Sequence, residues 1–270
     1  MLDKVFQNTK AQKRAALTVF ITCGDPNLDF TCKLIKRAAQ NGADIIELGV
    51  PFSDPMADGP TIQASSQRAL ASAITLPKII AMAARLREEG ITTPFVLFGY
   101  CNVFFKCGYE KVAKLSAQAG IDAWLLADLP MEESDEVLPI LRKNGLELIP
   151  LASPVTPPER IEKISKSGGG FLYYITALGV TGVRDSLPKG FAERLQIVRE
   201  HSHLSVAAGF GISSARIASD AAKCADAVVV GSKFVQLVHE TFSTEGEDAA
   251  LEKASLFIKE LAKNLTQRLP

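Results

Sequence analysis

No run of 18 apolar residues occurs anywhere in this 270-residue sequence, so no segment reads as a membrane-crossing helix. The first turns hold Asp3, Lys4, Lys10, Lys13 and Arg14 and lack the apolar stretch of about 7 to 15 residues that a secretory leader needs. A soluble, cytoplasmic protein is the expectation. Neither sign of charge is in excess, with Lys plus Arg equal to Asp plus Glu at 30 each. No basic stripe tracks a phosphate backbone, which argues against a nucleic-acid partner. The five cysteines are odd in number and never spaced C-x-x-C, so neither a disulfide framework nor a cysteine-based zinc site is indicated. The first strand-to-helix turn, TCGDPN, lacks the G-x-G-x-x-G of a dinucleotide-binding sheet.

What is present is a repeating alternation. Eight short apolar, β-branched segments recur: LTVFITC (17–23), ADIIELG (43–49), PFVLFGY (94–100), AWLLADL (123–129), LELIPLA (146–152), GFLYYIT (170–176), LSVAAGF (204–210) and DAVVVG (226–231). They are continuous apolar runs rather than strict alternations, as parallel strands covered on both faces require. Amphipathic stretches such as DFTCKLIKRAAQNG, YEKVAKLSAQAG and EESDEVLPILRKNG lie between them, each closing on glycine. This order predicts an α/β fold, a (β/α)8 TIM barrel in one domain over 1–270. Residues 1–13 read as an extra N-terminal helix on the barrel floor. Residues 246–266, with Leu251, Ala254, Ile258, Leu261 and Leu265 at helical spacing, read as an extra C-terminal helix.

In such a barrel the chemistry sits at the carboxyl ends of the strands. His201, His203 and His239 all fall in the last third, the first two before the seventh strand segment, and no lysine lies inside any strand segment. A histidine base, a metal cluster and a Schiff base are thereby disfavoured, which leaves carboxylates. Glu47 stands two residues before the end of an apolar strand, where desolvation raises the pKa of an acid. Asp58 follows on the loop ELGVPFSDPMADGPTIQ, stiffened by Pro51, Pro55 and Pro60. Asp54 and Asp58 also fit ordinary turn roles, and Asp128 before Pro130 equally fits a capping or loop-fastening role. Tyr100 and Tyr173 occupy polar strand-end positions. GVTG (179–182), GFGIS (209–213) and Gly231-Ser232 follow the last three strand segments. Glycines before a helix N-terminus form an anion cradle, which predicts phosphate binding.

The stretches FITCGDP, ELGVPFSDPMADGPTIQ, YCNVFF, LLADLPMEES, GVTG, GFGIS and VVVGS, in that order from about residue 14 to 240, closely resemble the tryptophan synthase α subunit family. The resemblance implies retro-aldol cleavage of indole-3-glycerol phosphate to indole and glyceraldehyde 3-phosphate. It implies no cofactor in this chain, and a β partner that carries pyridoxal phosphate in an α2β2 heterotetramer. Glu47 matches the proton carrier and Asp58 the acid that holds the indole N–H. Phe20, Ile62, Phe98, Leu125 and Phe210 match the indole slot, with Tyr100 and Tyr173 beside it, and Thr181 matches a loop-closing threonine. Gly182, Gly211, Gly231 and Ser232 match the phosphate seat. Pro51, Asp54 and Asn102 match positions that face the partner. Thr176-Ala177-Leu178 departs from the Ser-Arg-x of many relatives. Another phosphate-binding barrel, a stand-alone lyase and a subunit that has lost turnover are the alternatives.

Overall fold

The computed structural model describes residues 1–175, 186–209 and 211–265. The apolar segments become β1 (Ala16–Thr22), β2 (Ile45–Gly49), β3 (Phe95–Gly99), β4 (Ala123–Leu126), β5 (Glu147–Leu148), β6 (Leu151–Ala152), β7 (Leu172–Ile175), β8 (Val206–Gly209) and β9 (Ala227–Val230). All pairs are parallel, each strand is paired with its sequence neighbour except at the step from β5 to β6, and β1 pairs with both β2 and β9. The fold is the (β/α)8 barrel.

One expected strand is divided. LELIPLA forms two pieces because Pro150 has no N–H to give to a ladder. Its first half pairs with β4, extended by Ile149 N–H to the Trp124 carbonyl at 2.9 Å. Its second half pairs with β7, where Tyr173 N–H reaches the Pro150 carbonyl at 2.9 Å. This one segment therefore closes the ring.

The helices are α1 (Leu2–Ala11), α2 (Leu28–Gln40), α3 (Pro60–Ala71), α4 (Leu76–Glu88), α5 (Cys101–Cys107), α6 (Tyr109–Gln118), α7 (Leu138–Lys143), α8 (Pro158–Ser167), α9 (Phe191–His201), α10 (Ala215–Ala222), α11 (Ser232–Glu245) and α12 (Glu247–Asn264). Asn27 caps α2 by accepting from Phe30 N–H at 2.8 Å. Gly42 and Gly120, just past α2 and α6, take positive φ of +112° and +70°, the conformation that ends a helix. The EESDEVLPILRKNG stretch is helical only from Leu138, after a 3-10 turn over Met131–Glu133. Pro139 is tolerated only in a first turn, so the helix cannot extend back through it. Among the described residues no single helix is long and apolar enough to cross a membrane.

Side-chain alternation divides each strand between two cores. Leu17, Val19, Ile21, Ile46 and Leu48 face outward under the helices. Ala16, Ile45, Val96, Leu125, Phe171, Ala207, Ala227 and Val229 face inward, in one buried cluster with Leu2 and Phe6 of α1. The rings of Phe6 and Phe171 lie 5.8 Å apart, so the first helix stoppers the barrel floor. Glu47, two residues beyond Ile45, must also point inward.

The floor rim is tied by three aspartates placed just before strands. Asp44, Asp122 and Asp226 each accept a backbone N–H of the neighbouring strand's start, from Leu17 at 2.8 Å, Phe95 at 2.9 Å and Val206 at 2.8 Å. Each also meets an arginine: Arg14 at 2.6 Å, Arg87 at 3.2 Å and Arg199 at 3.6 Å. The Arg14–Asp44 pair is bidentate, the strongest geometry for such a bond. Asp44→Ala leaves the Leu17 N–H without its acceptor and takes the carboxylate from Arg14, which keeps only the Gln12 side chain and the Ala15 carbonyl, and is expected to lower stability by about 2 to 4 kcal/mol. Chemical denaturation measures it, and a change within error would show that the clamp contributes nothing.

Candidate active site

Glu47 occupies the centre of β2 with no exposed surface, and its register partners are Phe20 on β1 and Val96 on β3. Neither carboxyl oxygen finds a hydrogen-bond partner among the described residues. Burial alone pushes its pKa up to about 8, because the charged form loses its water without gaining a donor. At neutral pH this is an acid holding its proton at the open end of a barrel.

The loop after β2 brings a second acid. Asp58 N–H closes a turn onto the Pro55 carbonyl at 3.0 Å, and Gln63 Nε2 donates to the Asp58 carbonyl at 2.8 Å. Gly59 then caps α3 and Pro60 opens it. α3 is itself anchored: Arg68 clasps Asp25 at 2.8 and 2.6 Å, and the Ser65 and Thr22 hydroxyls meet at 2.7 Å. The Tyr100 hydroxyl donates to Asp58 Oδ2 at 3.0 Å and accepts from Ala57 N–H at 3.1 Å, while Phe52 stacks on the Tyr100 ring at 5.2 Å. Burial raises the Asp58 pKa to about 6, partly offset by the bond from Tyr100.

An aromatic wall joins the two acids. Phe98 lies edge-on to Phe20 at 5.4 Å and to Tyr173 at 6.2 Å. Burial holds the Tyr173 hydroxyl well above the usual tyrosine range, with the charges of Glu47 and Asp58 adding to it, so this ring sits near both carboxyls. Two glycines make the room. A Cβ on Gly49 would lie 2.4 Å from the Phe20 ring, and one on Gly209 would lie 2.2 Å from the Tyr173 ring. Gly49 was invisible as a site residue in the sequence; its signal is its place two residues after Glu47, on the same face. Gly209, read there as part of an anion cradle, clears space for Tyr173.

The remaining expectations divide. Ile62 and Leu125 are buried, Leu125 within the inner core. Gly231 caps α11 and Ser232, 8% exposed, begins it; Gly211 is partly buried. Thr181, Gly182, Phe210 and the 176–178 stretch lie outside the described residues. Asp128 fastens a loop by accepting from Cys101 N–H at 2.8 Å, at the start of α5. Of the three positions expected to face a partner, Asp54 and Asn102 are exposed, but Pro51 is buried. The apolar side chains Met56 and Phe105, 78% and 62% exposed, stand on the same loop and on α5. Among the described residues no group of three His, Cys, Asp or Glu side chains could hold a metal ion.

An eight-stranded barrel with two burial-raised carboxyls and an aromatic wall at its mouth belongs to the barrel enzymes. Comparison with known proteins narrows the class. The family model described as tryptophan synthase alpha chain matches residues 6–266. The tryptophan synthase alpha chain of Thiobacillus denitrificans is 45% identical over 252 residues, covering 93% of this chain and 92% of the relative. The crystal structure of the tryptophan synthase alpha chain from Legionella pneumophila superposes with a TM-score of 0.89 at 31% identity, covering 98% and 96%. A structure of Mycobacterium tuberculosis tryptophan synthase gives 0.89 at 30% identity, covering 100% and 98%. The chain belongs to the tryptophan synthase alpha chain family, lyases that cleave indole-3-glycerol phosphate.

The Glu47 environment fixes a pH dependence of stability. Its pKa rises from 4.5 to about 8 on folding, so the native state binds the proton more tightly than the unfolded chain. That contribution is complete below pH 4.5 and is lost as pH rises toward 8. Glu47→Gln mimics the protonated form, so it should match the native chain near pH 4 and exceed it near pH 8 by about 4 kcal/mol. Denaturation at the two pH values measures this; equal stabilities at pH 8 would place the carboxylate in water.

Proposed function

We propose that this chain cleaves indole-3-glycerol phosphate by carboxyl acid–base chemistry, with Glu47 as the proton carrier. The observation that carries the reading is the unpartnered, fully buried carboxyl of Glu47 beside an aromatic slot. Cleavage needs a proton delivered to the ring carbon that bears the glycerol chain and another removed from the adjacent side-chain hydroxyl. Glu47 starts protonated, gives its proton to the ring carbon, and as carboxylate takes the hydroxyl proton while the carbon–carbon bond breaks. The hydroxyl carbon leaves as the aldehyde of glyceraldehyde 3-phosphate, and the ring regains aromaticity as indole. Asp58, ionised near neutral pH, accepts the indole N–H and stabilises the positive charge that develops on the protonated ring.

Phe20, Phe98, Leu125 and Ile62 line the slot for the ring, and Tyr173 sets its edge. Gly211, Gly231 and Ser232 seat the phosphate, where a helix N-terminus offers N–H groups and a favourable dipole. Binding energy taken there positions the reacting end. The chain needs no cofactor of its own for these steps. It passes indole to a β subunit carrying pyridoxal phosphate, in an α2β2 assembly in the cytoplasm. The exposed Asp54, Met56, Asn102 and Phe105 form part of the contact, and docking there orders the loop that holds Asp58.

Three measurements test the reading. Glu47→Gln should abolish indole release while inorganic phosphate or glyceraldehyde 3-phosphate still binds; substantial turnover would remove Glu47 from the mechanism. Asp58→Asn should cut kcat by about 100-fold or more with little change in folding midpoint. The pH profile should form a bell, rising with a midpoint near 6 as Asp58 ionises and falling near 8 as Glu47 loses its proton. A profile that neither rises through pH 6 nor falls through pH 8 would contradict both roles.

A further inference from the structure

Among the described residues, three buried side-chain oxygens lack a hydrogen-bond partner: both carboxyl oxygens of Glu47 and the hydroxyl of Thr18. A hydroxyl sealed among apolar groups costs free energy that an isosteric valine would not, so its presence asks for a reason. Thr18 is fully buried on β1 between Ala16 and Phe20, on the face turned into the barrel. β1 pairs with β2 so that Thr18 stands opposite Ile45 and Phe20 opposite Glu47. Thr18 and Glu47 are therefore diagonal neighbours on one face, about 8 Å apart at Cα from strand spacing and rise.

The wall below them is built small. One layer under Thr18, Ala16, Ala227 and Ala207 stand level across β1, β9 and β8, so methyl-sized side chains floor the space bounded by Thr18, its level neighbours Ile45 and Val229 and the carboxyl above, the place for an internal water. Such a water requires at least two polar partners, and the two orphaned groups supply them. We infer that Thr18 is a positioning residue for Glu47, its hydroxyl holding the carboxyl from below through one internal water. The water donates one hydrogen bond to the carboxylate and is held in place by the other to Thr18.

The bridge favours the ionised carboxylate, so losing it raises the proton affinity of Glu47. Among the described residues, the titratable group beside this carboxyl is Tyr173 on β7, which also feels the charge of Asp58 on the loop after β2. β1 and β3 present only Thr18, Phe20, Val96 and Phe98, and α1 presents Leu2, Val5 and Phe6.

The inference rests on the proton-carrier reading only for its effect on rate, and the test separates the two. The infrared carboxyl band of Glu47, isolated by subtracting the spectrum of the matching Glu47→Gln protein, is titrated in the chain without substrate. Thr18→Val should move its midpoint up by roughly 0.5 to 1 pH unit, a three- to tenfold tighter proton. Thr18→Ser should restore the native value. The alkaline limb of kcat for indole release should move with it while KM stays put. A band that moves with a limb that does not would support the bridge and overturn Glu47 as proton carrier. An unmoved band, with a higher thermal midpoint from removing an unsatisfied hydroxyl, would overturn the bridge.

Discussion

A carboxyl group with no protein donor among the described residues, enclosed in an apolar cylinder, is a costly object, and the architecture of this barrel is arranged around it. The cost is what holds its proton near neutral pH, since an acid paired with a charged donor would be ionised there. β2 carries Glu47 inward by simple alternation from Ile45, and Phe20, Val96 and Phe98 close over it. Gly49, next on the same face, removes the one side chain that would push Phe20 away.

The opposite rim follows the reverse rule. Asp44, Asp122 and Asp226 are as well supplied with donors as Glu47 is deprived of them, each serving a backbone N–H and an arginine. Acids at the floor hold strands in register. At the mouth, Glu47 has no protein donor among the described residues and Asp58 accepts from the Tyr100 hydroxyl, and burial raises the pKa of both. The two kinds differ by position along the strand rather than by residue type, which is the division of labour that this fold makes available.

Much of this was legible in the sequence. Continuous apolar runs separated by glycine-terminated helical patterns gave the barrel, and the strand-end rule singled out Glu47. Asp58 was ambiguous from turn statistics alone; its bond to Tyr100, 42 positions away, is a tertiary fact that no local pattern encodes. The break at Pro150 is not legible because LELIPLA carries one charge, Glu147, in an otherwise apolar run, and periodicity does not say which neighbour each half will pair with. The late start of α7 could have been read from Pro139, had its intolerance of any position beyond the first turn been weighed against the periodicity. Pro51 was matched to a partner-facing position, yet it lies buried; exposure depends on how the loop folds back.

The divided fifth strand bears on how the cylinder is joined. β1 and β2 share five registered pairs, whereas the segment that completes the ring shares two with β4 and two with β7. In the circular order of the sheet that segment stands diametrically across from β1. The far wall is thus joined by the fewest registered pairs and the wall that carries Glu47 by the most, so the ring is knit most tightly where its buried acid is held.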